Sequence, residues 1–420
     1  MPGIPGPATA TVAPSAAART AAARTAAART AATVPAARRR TLAAGVAATA
    51  LALGSAVAGG APATAAPVAP TAKTPGPGAA QCAPGRGAAH SDAVRAMCAR
   101  TGDLLDVTLD QLRPTQPSVG FDQIYYKLGR YSSTKDEQNG DVNKRFDDWC
   151  ETNGQEKAAK VPAGATLRKP SSFTCTVAVG KETDETRAAM KTVVVGPGGA
   201  LYLTDGHHTL TSFLETRDGG PKTHIRLRVT ANLSKLGSGA FWKTMREKNW
   251  VWLRDENNRP ITVNQLPKRL GLANFHDDRY RSLVYFTRDI GYAPPADAAE
   301  YLEFFWGTWL RDRVDIKAYD LNSPASYLDA VRKASEAMTD TPGSTVIGDG
   351  RTADQMGRLA EWNNGKKATG GEFGKLSAPI TEAKPGKLAY ALDYRAHLPA
   401  KGGNGGHGKG GHGKGGHGGK

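Results

Sequence analysis

Between Met190 and Arg217 the spacing of apolar residues changes from strand-like to helical. Lys191-Thr192-Val193-Val194-Val195 is a β-branched run, Gly196-Pro197-Gly198-Gly199 a tight turn, and Ala200-Leu201-Tyr202-Leu203-Thr204 a second short strand, a pattern that predicts a hairpin. After Asp205-Gly206, Leu210, Phe213 and Leu214 fall at helical spacing and predict a helix to about Arg217. Asp205 is placed to cap that helix. His207 and His208 then stand where free N–H groups and the helix dipole favour an anion such as phosphate.

The pattern elsewhere fits a small α+β domain. A helix is expected within Ala88 to Arg100, a strand at Leu104 to Val107, a loop at Arg113 to Gln116 and a helix from Val119 to Tyr131. Ser132 to Gly164 is polar and reads as a loop-rich insertion, followed by a strand around Phe173 to Val177. His224 to Val229 alternates with period two, as a half-buried strand does. These elements predict a mixed sheet with helices over 81–235, then a helical, aromatic-rich part over 236–320. There Trp242, Trp250, Trp252, Trp306 and Trp309 are expected as core. A C-terminal extension covers 321–400, with helical stretches at Tyr327 to Met338 and Met356 to Trp362.

The ends differ in kind. Residues 1–65 are almost all Ala, Arg, Thr, Pro and Gly, and 66–80 form a linker poor in bulky side chains. Arg38-Arg39-Arg40, a weakly apolar run from Thr41 to Ala58 and Ala63-Thr64-Ala65 give the layout of a signal peptide, Sec or twin-arginine, although a start further downstream is an equal alternative. A secreted chain with no membrane span after cleavage is therefore expected. Residues 401–420 repeat Gly, His and Lys, a disordered tail in which His407, His412 and His417 give only loose metal affinity. Of the net charge of +16, six arginines lie in 1–65 and four lysines in 401–420 without acids, so the folded part is only mildly basic. That permits an anionic ligand without by itself implying nucleic acid. Four cysteines in an exported chain suggest two local disulfides, Cys82 with Cys98 and Cys150 with Cys175.

Strand, glycine turn, strand, Asp205-Gly206-His207-His208 and helix together resemble the ParB/sulfiredoxin superfamily, and more closely its putative ParB-like nuclease family. Leu112 to Gln116, Phe241-Trp242 to Trp250-Val251, Arg279 to Leu283 and Tyr301 to Trp306 resemble further blocks of that family, in order. The resemblance implies a phosphate-cradling loop with Asp205, His207 and His208 as catalytic candidates. Arg113, Gln116, Gly206, Thr209 and Lys127 are the candidates for phosphate or substrate binding, with Arg130 as a reserve. Asp205 and His207 are candidates for holding Mg²⁺ or Mn²⁺. Thr209 departs from several relatives, which carry Arg there, and this weakens the case for nucleotide-dependent transfer. For Arg279, Arg281 and Glu303 an ion pair joining the helical part to the sheet domain is at least as good a reading as catalysis, and His276-Asp277-Asp278 are discounted as a metal cluster.

Three functions remain open at this level. The first is metal-assisted hydrolysis of a phosphoester, with nucleic acid or a nucleotide as ligand. The second is phosphotransfer of the serine-kinase type, and the third is a non-catalytic module binding an anion or a partner.

Overall fold

The computed structural model describes residues 92–399. The helices are α1 (Asp92–Cys98), α2 (Phe121–Ser132), α3 (Lys135–Gln138), α4 (Lys144–Thr152), α5 (Asp184–Ala188), α6 (His207–Glu215), α7 (Ser238–Glu247), α8 (Arg279–Phe286), α9 (Leu302–Leu310), α10 (Pro324–Asp340), α11 (Gly371–Leu376) and α12 (Lys387–Ala396). The strands are β1 (Leu104–Thr108), β2 (Leu112–Pro114), β3 (Ser118–Val119), β4 (Ala158–Lys160), β5 (Thr174–Cys175), β6 (Thr192–Val195), β7 (Leu201–Leu203), β8 (His224–Asn232), β9 (His276–Asp277), β10 (Val346–Gly348) and β11 (Arg351–Thr352).

The expected α+β class holds. The main sheet runs β1-β8-β6-β7-β2 and is mixed: β1 is antiparallel to β8, β8 parallel to β6, β6 antiparallel to β7 and β7 parallel to β2. Alternation decides its two faces. Val193 and Val195 of β6, with Ile225, Leu227 and Val229 of β8, pack towards α2, α4 and α6. Val194 points the other way, onto Phe241 and Met245 of α7.

A second core joins α8, α9 and the C-terminal segment, centred on the fully buried Trp306, Tyr292 and Tyr327. Its tie to the sheet domain combines the rings of Tyr125 and Tyr126 on α2 with a polar clasp. Asp122 on α2 is buried and accepts from Arg395 Nη1 at 2.7 Å and from Tyr327 Oη at 3.0 Å. Burial raises its pKa, against the pull of Arg395 and Tyr327.

Several expectations need correction. Val119 belongs to β3, paired in parallel with β9, so the helix starts at Phe121. The stretch from Ser132 to Gly164 is not merely loop: it carries α3 and α4, whose Phe146, Trp149 and Cys150 join the first core. The strand near Cys175 pairs with β4 in a separate ribbon rather than with the main sheet. Residues 248–278 are mostly irregular, and Met356 to Trp362 lies outside any α-helix. Trp252, Trp306 and Trp309 are buried, whereas Trp242 and Trp250 pack partly buried on α7's core.

Cys150 and Cys175 are bridged, with Cα atoms 5.7 Å apart. Cys82 lies outside the described residues, as do the leader, linker and Gly/His/Lys tail. No cysteine among the described residues is free.

Candidate functional site

The hairpin of β6 and β7 delivers the chain to α6 through Asp205 and Gly206. Gly206 has φ +101°, a left-handed conformation, and a Cβ there would meet the Lys191 side chain at 2.6 Å. Only glycine fits both demands.

Asp205 does not cap α6. The N-cap residue is Gly206 and no side chain closes the helix start. The Asp205 carboxylate instead receives Lys191 Nζ at 3.1 Å, and this pairing raises the lysine's pKa against the effect of burial. Leu210 is the first residue of the helix whose amide bonds within it, to the Gly206 carbonyl at 2.9 Å. Among the described residues nothing accepts from the amides of Gly206, His207, His208 or Thr209.

Both histidines are buried and used as acceptors. The Thr115 amide donates to His207 Nε2 at 3.2 Å, and the Gly120 amide donates to His208 Nε2 at 3.0 Å. Each ring is therefore neutral, with its proton on Nδ1. Burial pushes His207 down to about 3 and His208 well below its ordinary value, with Arg281 adding to both. The rings thus pin the loop 115–120 to α6. The same loop is held from other sides: Thr115 Oγ1 donates to the Leu203 carbonyl at 2.6 Å and so accepts from Tyr301 Oη at 2.8 Å. Gln116 Nε2 donates to the Ser118 carbonyl, spending its amide within the loop. Gly120 lies so close to Ser282 that a Cβ would sit 2.7 Å from its backbone nitrogen.

Next to this loop stands Arg281, 5% exposed. Its Nε and Nη1 have no partner, and its nearest carboxylate, Glu303, is 3.7 Å from Nη2. Arg288 also binds Glu303; burial would raise that carboxyl, but the two guanidiniums hold it at about 2. Since Arg281 is on α8 and Glu303 on α9, their pair joins two helices of the second core, not that core to the sheet as expected. Glu300 lies near Asp205. The residue is exposed as a whole, yet desolvation of its carboxyl and repulsion by Asp205 raise it to about 7.

The remaining candidates are placed elsewhere. Lys127 is 2.8 Å from Asp148, which Lys144 and Tyr131 also bind; burial would raise that carboxyl, but the two lysines hold it well below the usual range. Arg130 is paired with Asp136 at 2.8 Å. Arg113 is exposed on edge strand β2, its guanidinium 5.7 Å from the Tyr202 ring centre. Thr209 sits half-buried in the open first turn of α6. Asp277 accepts from the Phe121 amide and Asp278 from the Arg281 amide, so two of the three residues at 276–278 serve helix starts. No group of three or more His, Cys, Asp or Glu among the described residues is arranged to hold a metal. The expected Asp205–His207 cation pair does not fit, because His207 Nε2 already takes an amide proton and Asp205 takes Lys191.

Sequence reasoning missed Lys191, Glu300 and Tyr301, and read Arg281 as a strut. Tyr301 gives no sequence signal for its left-handed backbone, φ +58°. The burial of Arg281 depends on contacts between distant segments.

A mixed sheet leads through Asp205 and Gly206 into a helix that opens with His207-His208, the arrangement that carries the family resemblance. Residues 105–312 match the model of the family described as "Putative ParB-like nuclease", and this segment is a ParB-like domain. Among solved structures, the crystal structure of protein Atu1540 from Agrobacterium tumefaciens is similar at 23% identity and a TM-score of 0.37, over 57% of this chain and 93% of that one. No curated protein matches. No helix among the described residues is long and apolar enough to cross a membrane.

Proposed function

We propose that the start of α6 is a phosphate seat and that the protein binds and hydrolyses a phosphoester there, in keeping with a ParB-like nuclease domain. The observation that carries this reading is Arg281: a buried guanidinium with two unpartnered N–H groups, near an uncapped helix start. Leaving such donors unsatisfied costs about 1–3 kcal/mol or more, which a bound phosphate oxygen would recover. The amides of α6 add directed donors and a favourable dipole. In this reading the imidazoles are positioning residues that hold the loop 115–120, and Arg113 is a peripheral contact.

Glu300, at about 7, suits a general base. Its carboxylate takes a proton from water, the water oxygen bonds to phosphorus, and the ester oxygen leaves and is protonated by solvent. Negative charge growing on the phosphoryl oxygens falls to Arg281 and the α6 amides. Mg²⁺ or Mn²⁺ remains part of the proposal only as a cation that would act on the bound phosphate oxygens, since Asp205 is spent on Lys191 and Glu300 serves as the base. Export from the cell is proposed with it, on the layout of residues 1–65; the N-terminal sequence of the secreted protein tests it.

The deciding experiment is titration of the protein with phosphate. It is paired with cleavage assays on single- and double-stranded DNA, RNA and bis(4-nitrophenyl) phosphate, in Mg²⁺, Mn²⁺ or EDTA. Binding that weakens at least tenfold in Arg281→Gln, and turnover lost in Glu300→Gln with binding kept, are expected. Binding without turnover reduces the protein to an anion-binding module. Absence of binding removes the seat.

A further inference from the structure

A cleft of about 680 Å³ lies away from α6, between α2 and α8 on one side and the segment around α11 and the start of α12 on the other. Its second wall lies beyond the family match, which ends at residue 312. The size is that of a small-molecule site. Its lining includes the rings of Tyr126, Tyr285 and Tyr390, all at least nine-tenths buried, with ring centres of successive pairs 6.1 and 6.4 Å apart.

Charge at the cleft is unevenly settled. Arg130 is matched by Asp136, Lys375 by Glu372 and Arg288 by Glu303. Lys387 has no carboxylate among the described residues. Its Nζ lies 5.5 Å from the centre of the Tyr285 ring, and the Arg288 guanidinium is 5.9 Å from the same centre. A ring face satisfies an ammonium only in part. Arg288 already has Glu303, so an anion in the cleft would chiefly supply the counter-charge that Lys387 lacks.

We propose that this cleft binds a small planar aromatic ring bearing an anionic group, of the kind a nucleoside monophosphate presents. The ring lies against the tyrosines and the anion is taken by Lys387 with Arg288. The inference does not depend on the seat at α6: Lys387 belongs to the cleft alone, whereas Arg288 shares Glu303 with Arg281.

The test titrates the full chain with AMP and 4-nitrophenyl phosphate, with adenosine and inorganic phosphate as single-feature controls. Saturable binding of both ring phosphates is expected, at least tenfold tighter than either control. It should fall at least fivefold in Lys387→Ala and recover in Lys387→Arg. Tyr126→Leu should weaken it too. The proposal is overturned if neither ring phosphate saturates at millimolar concentration. It is equally overturned if inorganic phosphate binds as tightly, or if Lys387→Ala and Lys387→Glu change nothing in a chain whose melting temperature is preserved.

Discussion

The starts of α6 and α8 pose the same chemical problem and settle it in opposite ways. At α8, Asp278 is the N-cap: it accepts from the Arg281 amide at 3.1 Å and also binds Arg311 at 2.8 Å, almost out of reach of solvent. At α6 an aspartate also precedes the helix, but it faces Lys191 with its side chain 55% exposed, and the N-cap is glycine. The start of α2 is settled as at α8, by Asp277, Ser282 and the ring of His208. Uncapped starts also occur at α7 and α12, which follow Gly237 and Gly386; what sets the one at α6 apart is its surroundings. It occurs beside Arg281.

The comparison breaks first at the two aspartates. Asp278→Ala leaves Arg311 buried without its partner and uncaps α8, and should cost about 3–5 kcal/mol in urea unfolding. Asp205→Ala breaks an ion pair that is open to solvent, and should cost less than about 1 kcal/mol. Equal losses would mean that the two starts are not different in kind. Next come the imidazoles. His208→Ala leaves the Gly120 amide buried and unpaired and opens a void, for about 2–4 kcal/mol. Such a variant therefore reports on folding, and a loss of activity in it says nothing of catalysis.

Acid sharpens the same point. His207 stays neutral when folded down to about pH 3, whereas an unfolded histidine takes a proton near 6.5. Its folded value being depressed, its contribution is complete above about 6.5 and declines as pH falls towards 3, by up to about 1.4 kcal/mol per unit. Urea midpoints measured between pH 7 and 4 should fall accordingly, and His207→Gln should flatten the slope. Ligand stabilisation tests the seat itself. Phosphate at about a hundred times its Kd should add roughly 2.7 kcal/mol to the native protein, and at the same concentration no more than about 1.4 kcal/mol to Arg281→Gln.

Short-range pattern made much of the fold legible. The hairpin, α6 and the alternation of β8 follow from turn chemistry and period, and Trp306 and Trp309 are core as their spacing implies. Helices inside the polar stretch after Ser132 were hidden because α4 shows the core only a few residues, Phe146, Trp149 and Cys150 among them. The site was legible in place but not in wiring. Asp205 fits a cap by its position, yet the competing lysine lies fourteen residues upstream and arrives only when β6 and β7 pair. The histidines stand at the helix start as expected, but which way their rings turn is decided by backbone amides almost a hundred residues earlier. Arg281 becomes informative only once its burial is known, and no local pattern encodes that.

The clasp at Asp122 has a consequence for how the molecule is made. Its guanidinium partner lies 273 residues further along, so at ordinary translation speeds of about 5–20 residues per second the carboxylate waits roughly 14–55 s for it. During that interval the side chain is better off hydrated than shut away, and the face of α2 that receives α12 stays unsealed. The segment that carries Arg395 is thus a keystone, and this part of the shape closes only after α12 has been made.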